Sequence, residues 1–427
     1  MCLAPAERSF PLEKYLGVYF HIPFCARKCA YCDFYSVAGA SGQMAGYQKA
    51  LLTHIQESSP QLQGYYIDTV YFGGGTPSFY SAARLTELLD ALKRCGRLLV
   101  NSEVTAEVNP DSAVPAELVR LKKAGFNRLS IGVQSTHDET LQRIGRIHDF
   151  ASAEAAVKNA RSAGFGNVSI DLMYGLPGQT RESWADDLTR AAAMKPDHIS
   201  CYGLKLAEGT EMYVLKDTPF LPDDDTQADM YLYAVDFLAR QGFLQYEISN
   251  FAKKGFESRH NLKYWTGQEY LGFGAAAHSF IGGCRFGNVA DISAYCKAME
   301  NGGRVIEPYE KLDAVGLAGE YLMLGLRTNR GISPEEYRRI YPADFSGIEE
   351  RLKMFEKYGW AVCPDGRWHF TPKGYLISNV LIGQVLDAQR KEPFPEQEIE
   401  QPATAAEAVE KAVALTESEA ETMFRGI

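Results

Sequence analysis

Short apolar runs alternate with amphipathic segments over the first half of the chain. Six apolar runs predict β-strands at 17–20, 69–72, 104–108, 128–133, 168–173 and 198–203. Apolar residues recur with helical spacing between them, at 83–94, 115–124, 152–163 and 183–194. Strand-then-helix repetition predicts a parallel sheet with right-handed crossovers. Because six units are too few to close an eight-stranded barrel, we expect an α/β fold with an open, partial TIM-like β/α barrel over residues 15–206.

The pattern changes after residue 206. Residues 207–305 combine a helix at 226–240, a strand at 245–248 and a glycine- and aromatic-rich stretch at 260–288, which we interpret as a barrel extension. Residues 306–387 predict a C-terminal, mostly helical, winged-helix-like domain, with helices at 314–324, 334–340, 347–358 and 373–385 and a hairpin at 360–370. Residues 1–14 are expected to form an N-terminal extension, and 388–427 a mobile acidic tail with one helix at 404–415.

Composition narrows the class of protein. The chain has 427 residues, of which 46% are hydrophobic and 23% charged, as in ordinary soluble proteins. The net charge of −10 argues against a nucleic-acid partner, so we interpret the winged-helix-like domain as a packing unit. The chain shows neither an apolar run near 20 residues nor a secretory signal pattern. Six of the nine cysteines are scattered, which predicts a reducing cytoplasm.

Three cysteines directly follow the first predicted strand. Cys25, Cys29 and Cys32 have the spacing C-x3-C-x2-C. Three thiolates so placed suit a [4Fe–4S] cube whose fourth iron is left open to a ligand. A structural zinc site would need a fourth ligand, such as His21. Three ordinary buried cysteines are the remaining alternative.

Polar residues follow the ends of the next predicted strands. The turn 73–76, Gly-Gly-Gly-Thr, follows the second strand, and Glu107, Gln134 and Asp171 end the third, fourth and fifth. Arg146 comes shortly after the fourth strand. Because parallel strands of such a fold end at one face, these groups are expected to surround one pocket. Each residue alone is also compatible with a surface or capping role.

The cysteine spacing resembles that of the radical S-adenosylmethionine (SAM) superfamily. The segment Tyr19-Phe-His-Ile-Pro-Phe-Cys25, the glycine turn and Ser130-Ile-Gly-Val-Gln134 resemble, more narrowly, the oxygen-independent coproporphyrinogen III oxidase family over about residues 15–385. The resemblance implies that Cys25, Cys29 and Cys32 bind a [4Fe–4S] cluster. It also implies a SAM pocket lined by Tyr19, Tyr31, Gly74, Gly75, Thr76, Glu107, Gln134, Arg146 and Asp171, with a weaker match at Lys205.

Differences from the oxidases, at residues expected to lie near the substrate, favour one branch of that family. The oxidases carry a fourth cysteine two residues after the third, where this chain has Phe34, and a longer segment before the first strand. The motif H-N-x-x-Y-W at 260–265 and the glycine-rich turn that ends at His278 are typical of the HemW-type branch, whose members act as heme chaperones. His260 is the predicted axial heme ligand, with Tyr264 and Trp265 offering flat faces; a structural histidine is the alternative.

These resemblances imply a heme chaperone that holds a [4Fe–4S] cluster and SAM and delivers heme to an apo-hemoprotein. The alternatives are coproporphyrinogen III oxidase activity and another radical SAM reaction on a tetrapyrrole, such as heme-opening methyl transfer. Expected partners are heme or another tetrapyrrole, the apo-hemoprotein, a flavodoxin- or ferredoxin-type electron donor if SAM is cleaved, and a second copy of the chain. The expected location is the cytoplasm, with recruitment to any membrane-bound acceptor.

Overall fold

The computed structural model describes residues 14–302, 306–341 and 343–390. The predicted N-terminal extension lies outside these residues except for Lys14. The predicted acidic tail lies outside them after residue 390, and so does its predicted helix at 404–415. No helix within the described ranges is both long and apolar enough to cross a membrane.

One sheet of twelve strands organises residues 15–311. Its strands are β1 Tyr15–Ile22, β2 Tyr66–Gly74, β3 Arg97–Val108, β4 Arg128–Gln134, β5 Asn167–Tyr174, β6 His198–Gly203, β7 Leu244–Glu247, β8 Asn250–Ala252, β9 Tyr270–Phe273, β10 His278–Ile281, β11 Cys284–Asn288 and β12 Ile306–Lys311. The order across the sheet is β12-β11-β10-β9-β1-β2-β3-β4-β5-β6-β8-β7. Because β12 and β7 are its two edges, the barrel is open, as the sequence predicted.

The parallel part of the sheet has seven strands rather than the six predicted. Strand β9 pairs with β1 in parallel, with Gly17 opposite Tyr270, although 247 residues of chain separate β9 from the end of β1. Strands β7, β8, β10, β11 and β12 pair antiparallel and extend the two sides. The glycine- and aromatic-rich stretch is thus a helix followed by three strands.

Within the described residues, sixteen α-helices cover this sheet and build the C-terminal region. They are α1 Met44–Glu57, α2 Ser59–Leu62, α3 Pro77–Tyr80, α4 Ala82–Cys95, α5 Pro115–Ala124, α6 Asp138–Arg143, α7 Phe150–Ser162, α8 Arg181–Ala193, α9 Asp224–Arg240, α10 Arg259–Trp265, α11 Ile292–Glu300, α12 Ala314–Gly325, α13 Pro334–Ile340, α14 Ser346–Lys357, α15 Pro372–Leu376 and α16 Ser378–Gln389. Side-chain caps stabilise the N-termini of several helices. Asp149 accepts a hydrogen bond from Ser152 N–H at α7, and Ser258 accepts one from Asn261 N–H at α10.

The main core lies between the sheet and its helices. On β1, Leu16, Val18, Phe20 and Ile22 are fully buried on the helix side, so the alternate residues, including Tyr19, face the barrel interior. A strand buried on both faces normally carries apolar residues throughout. Here the interior positions of β1 to β6 are largely polar, which predicts that the interior serves a ligand rather than packing.

A second core lies in the C-terminal region. Helices α12 to α16 and a hairpin that pairs Ala361–Val362 with His369–Phe370 enclose it, and Tyr231 of α9 joins it from the preceding segment. The predicted hairpin is confirmed, and its turn includes Asp365 at φ 52°. The second core supports our proposal that residues 306–387 form a separate unit after a barrel at 15–206 and an extension at 207–305.

Candidate functional site

A cleft of about 340 Å³ opens at the carboxyl ends of strands β2 to β6. Its lining comes from the cysteine loop and from the end of each of these strands. It contains eleven of the predicted site residues: Cys25, Cys29, Tyr31, Cys32, Gly74, Gly75, Thr76, Glu107, Gln134, Arg146 and Asp171. Lys205 also lines the cleft, whereas Tyr19 and His260 do not.

The three thiols share one wall of the cleft. A short strand Phe24–Cys25 pairs with Val37–Ala38 and anchors the loop at its first cysteine. Thr76 Oγ1 donates a hydrogen bond to Cys25 Sγ at 3.5 Å, and Arg146 Nη1 donates to Cys29 Sγ at 3.5 Å. Donors aimed at sulfur stabilise thiolate and tune the metal that it binds. These contacts connect the cysteine loop to the glycine turn and to the segment after β4.

The arrangement favours a polynuclear cluster over a single zinc ion. Zinc needs four ligands around one point, whereas each thiolate of a [4Fe–4S] cluster binds a different iron. Burial raises the pKa of the Cys25 and Cys32 thiols, so metal binding must displace their protons.

The glycine turn after β2 fits tightly against the end of β1. Gly74 has φ +108°, and a Cβ there would lie 2.5 Å from the imidazole of His21. His21 Nε2 lies 2.8 Å from Tyr35 O, and its Nδ1 lies 3.1 Å from the Tyr19 hydroxyl. Burial lowers the pKa of His21 to about 4, so the ring is neutral and structural. Tyr19 therefore acts behind the cleft, by orienting His21.

Two buried carboxyls face each other across the middle of the cleft. Glu107 accepts from the Tyr71 hydroxyl at 2.9 Å and from Gly74 N–H at 3.2 Å. Asp171 accepts from Ser200 Oγ at 2.7 Å and from Ser130 Oγ at 3.2 Å. Burial raises the pKa of Glu107 to about 7 and that of Asp171 above its ordinary value. Such carboxylates accept hydroxyl groups as charge-assisted hydrogen bonds when ionised.

Gln134 and Arg146 complete the cleft on the β4 side. Gln134 has φ 68°, in the left-handed region that non-glycine residues seldom adopt, and its strain marks a site-forming residue. Arg146 is buried; its Nη2 donates to Gly132 O at 2.7 Å and to Asn109 Oδ1 at 3.0 Å. The same guanidinium thereby connects β4, the end of β3 and the cysteine loop.

His260, the predicted heme ligand, has hydrogen-bond partners at both of its ring nitrogens. It is fully buried; its Nδ1 lies 2.8 Å from Thr69 Oγ1 and its Nε2 lies 2.8 Å from the Tyr264 hydroxyl. Burial lowers its pKa to about 3, so the ring is a neutral imidazole whose donor and acceptor are both engaged. An axial ligand uses a nitrogen lone pair, so heme ligation by His260 would require one of these hydroxyl contacts to be given up. The structural alternative therefore fits His260.

The rest of the H-N-x-x-Y-W segment closes the inner end of the barrel. Helix α10 is held there by Glu103, which accepts from the backbone N–H groups of Arg259 and His260, and by a buried Lys263–Asp68 ion pair at 2.9 Å. His278, the other histidine considered, is an exposed residue of β10.

Several lining residues were missed by the sequence analysis. Tyr71, Arg128, Ser130, Ser200, Tyr202 and Asn261 also line the cleft. Three of them lie an even number of residues before a predicted site residue on the same strand or at its end. Because every second residue of a strand lies on the same face, the sequence could have predicted that Tyr71, Arg128 and Ser130 also line the cleft. This alternation could not predict Asn261, because Asn261 reaches the cleft from a helix.

Comparisons with known proteins agree with this geometry. Residues 19–191 match the model of the radical SAM superfamily. The heme chaperone HemW of Bacillus subtilis (strain 168) is 35% identical over 374 residues, which cover 87% of this chain and 99% of that protein. The heme chaperone HemW of Escherichia coli (strain K12) is 39% identical over 373 residues, with 86% and 97% covered.

A solved structure shows the same architecture. Coproporphyrinogen III oxidase (HemN) from Escherichia coli, a radical SAM enzyme, superposes with a TM-score of 0.77 at 25% identity and covers 88% of this chain and 90% of its own. The family model accounts for the cysteine loop and the strand-end residues together, and the HemW relatives match nearly over their whole length. The chain therefore belongs to the HemW family of radical SAM proteins.

Proposed function

We propose that this protein is a heme chaperone that holds a [4Fe–4S] cluster and SAM, binds heme as its cargo and delivers it to an apo-hemoprotein. The family assignment supports the cofactors, and the relatives named heme chaperones support the cargo. The observation that favours a heme chaperone over an oxidase is the presence of Phe34. Its side chain lies at the rim of the cleft, 66% exposed, where the oxidases have a fourth cysteine.

The residues of the cleft fit both cofactors. Cys25, Cys29 and Cys32 would hold the cluster. SAM would be held by the other predicted site residues: Tyr31, Gly74, Gly75, Thr76, Glu107, Gln134, Arg146 and Asp171, with Tyr19 behind them. When bound, the cluster supplies an open iron and an electron for the sulfonium of SAM.

The chain's own groups would then position the cofactor. Glu107 is suited to accept hydroxyl groups, because the Tyr71 and Gly74 donors fix the direction of its carboxyl. The close approach of His21 to Gly74 leaves the turn's backbone facing the cleft, where it can pair with a polar ligand. Thr76 and Arg146 place donors on Cys25 and Cys29 and so stabilise the thiolates.

Coproporphyrinogen III oxidase activity is the second candidate. The similarity to HemN over 88% of this chain favours it. Phe34 disfavours it, because an exposed phenyl ring offers neither a thiol nor a proton at that position. Further expectations are an electron donor of the flavodoxin or ferredoxin type, a second copy of the chain, and a cytoplasmic location with recruitment to a membrane-bound acceptor.

Heme delivery is tested by transfer to an apo-peroxidase, whose activity returns when it gains heme. The full-length protein is reconstituted with its cluster, loaded with hemin under nitrogen and mixed with the apo-peroxidase. Hemin-loaded serum albumin at the same free hemin concentration is the control for simple release. We expect faster recovery of peroxidase activity than from albumin. Failure to bind hemin, or recovery no faster than from albumin, would refute the chaperone proposal.

A further inference from the structure

Arg128 is a buried cation at the inner end of the cleft. Its side chain lines the cleft and is 2% exposed. Among the described residues it has neither a hydrogen-bond partner for its buried Nε nor an ion pair within 4.0 Å. Burial of a guanidinium without a partner costs free energy. Five donors in a planar fork match a carboxylate. The position is therefore complementary to an anionic group of a ligand.

The nearby acids are already engaged with other donors. Glu103 and Asp171, together with Glu107 on the neighbouring strand, are carboxyls whose charges interact with that of Arg128. Glu103 accepts from two backbone N–H groups at the start of α10, and Asp171 accepts from Ser130 and Ser200. These acids lower the cost of burying the cation, but none of them satisfies its N–H groups. Among the described residues, Arg128 thus lines the cleft without an ion pair within 4.0 Å.

Arg128 lies far from the cysteine wall. It precedes Gly132 by four residues on β4, which is about 13 Å at ~3.3 Å per residue. The carbonyl of Gly132 is where Arg146 binds, next to Cys29. A ligand held at the cysteine wall and a ligand held at Arg128 would therefore occupy opposite ends.

A second donor comes from the H-N-x-x-Y-W segment. Asn261 lines the same cleft, and the N-terminus of its helix α10 is bound by Glu103, which also faces Arg128. The hydrogen bonds of His260 to Thr69 and Tyr264 fix this helix. His260 thereby fixes the backbone next to Asn261, whose side chain reaches the cleft.

We propose that Arg128 and Asn261 bind one propionate carboxylate of the tetrapyrrole cargo at the inner end of the cleft. This inference rests on the proposed function, which supplies a tetrapyrrole as cargo. A guanidinium and an amide N–H group together satisfy a carboxylate without a metal. The segment H-N-x-x-Y-W then serves the cargo through its asparagine, with His260 as a positioning residue.

The test compares hemin with hemin dimethyl ester, in which the propionate charges are removed. Binding of each probe to full-length, cluster-reconstituted protein is measured by tryptophan fluorescence quenching in the same detergent, and SAM binding by equilibrium dialysis. We expect wild type to prefer hemin by about tenfold to a hundredfold, as for a hydrogen-bonded charge pair. Arg128→Met should lose that preference by weakening the binding of hemin and not that of its dimethyl ester. Retained SAM binding shows that the cofactor cleft of the variant is still formed. Arg128→Lys should keep part of it.

Two further variants keep the test decisive. Asn261→Ala should reduce the preference without removing it, so the proposal is testable even if Arg128→Met fails to fold. Arg27→Met removes an exposed cation at the cleft mouth and should leave the preference intact. The subsite is overturned if wild type binds both probes equally, or if Arg128→Met weakens the binding of both probes alike. Binding of neither probe by wild type would overturn the proposed function as well.

Discussion

Replacement of Glu107 by glutamine should strengthen the fold and weaken cofactor binding. The carboxyl is buried between the Tyr71 hydroxyl and Gly74 N–H, and burial raises its pKa from 4.5 to about 7. Between these values the folded protein holds a proton that the unfolded chain has lost. The free energy of unfolding therefore falls as pH rises through this window.

The size of the effect follows from the two pKa values. The difference between 7 and 4.5, at ~1.4 kcal/mol per pH unit, corresponds to about 3 kcal/mol at pH 8. Glu107→Gln removes this cost but turns one amide N–H group toward a neighbouring donor, which costs about 1 kcal/mol. We therefore expect the variant to be more stable than wild type by about 2 kcal/mol at pH 8. At pH 5 the advantage should be absent.

Denaturant unfolding of the cluster-free protein at pH 5, 6 and 8 measures this difference. SAM dialysis at pH 8 should show at least about tenfold weaker binding, because a neutral amide loses the charge-assisted bonds. Glu139→Gln is the matched control, since that carboxyl is largely exposed and should show neither effect. A Glu107→Gln variant with no stability advantage at pH 8 would refute the view that this carboxyl is desolvated in the folded protein.

Three other substitutions test the roles given to neighbouring residues. His260→Ala removes a buried ring with two hydrogen bonds and should cost about 3 kcal/mol of unfolding free energy. The absorption spectrum of bound hemin should stay that of wild type. A changed spectrum in folded protein would support heme ligation by His260. Lys263→Met should cost about 3 kcal/mol in thermal unfolding because Asp68 loses its nearer partner and keeps only Arg259 at 3.8 Å. Adding Asp68→Asn should recover part of that loss, and no recovery would contradict the pairing. Phe34→Cys should change stability by less than about 0.5 kcal/mol and create no decarboxylase, and a decarboxylated product by mass spectrometry would contradict the weight given to Phe34.

The site residues at the strand ends could be predicted from the sequence, because each is recognised from the apolar run directly before it. The glycine turn, Glu107, Gln134 and Asp171 each end an apolar run, and parallel strands of this kind place such ends at one face. The cysteine spacing lies within eight residues and needs no long-range information. These features could therefore be placed at one cleft without knowing how the remaining elements pack.

The features that sequence missed depend on distant contacts. Strand β9 is only four residues long, and no local pattern indicates that it pairs with β1. His260 resembled a free imidazole because its partner Thr69 is 191 residues away in the chain. Arg128 was interpreted only as the start of a strand, since the lack of a partner is a property of the folded interior.

One anaerobic sample tests the central claim most directly. Reconstituted, reduced protein with a verified [4Fe–4S] cluster receives SAM, coproporphyrinogen III and hemin, and is then separated from free ligand and analysed by mass spectrometry. We predict that hemin stays with the protein and that coproporphyrinogen III keeps all of its carboxyl groups. Decarboxylated coproporphyrinogen together with 5′-deoxyadenosine would contradict the chaperone account and establish an oxidase.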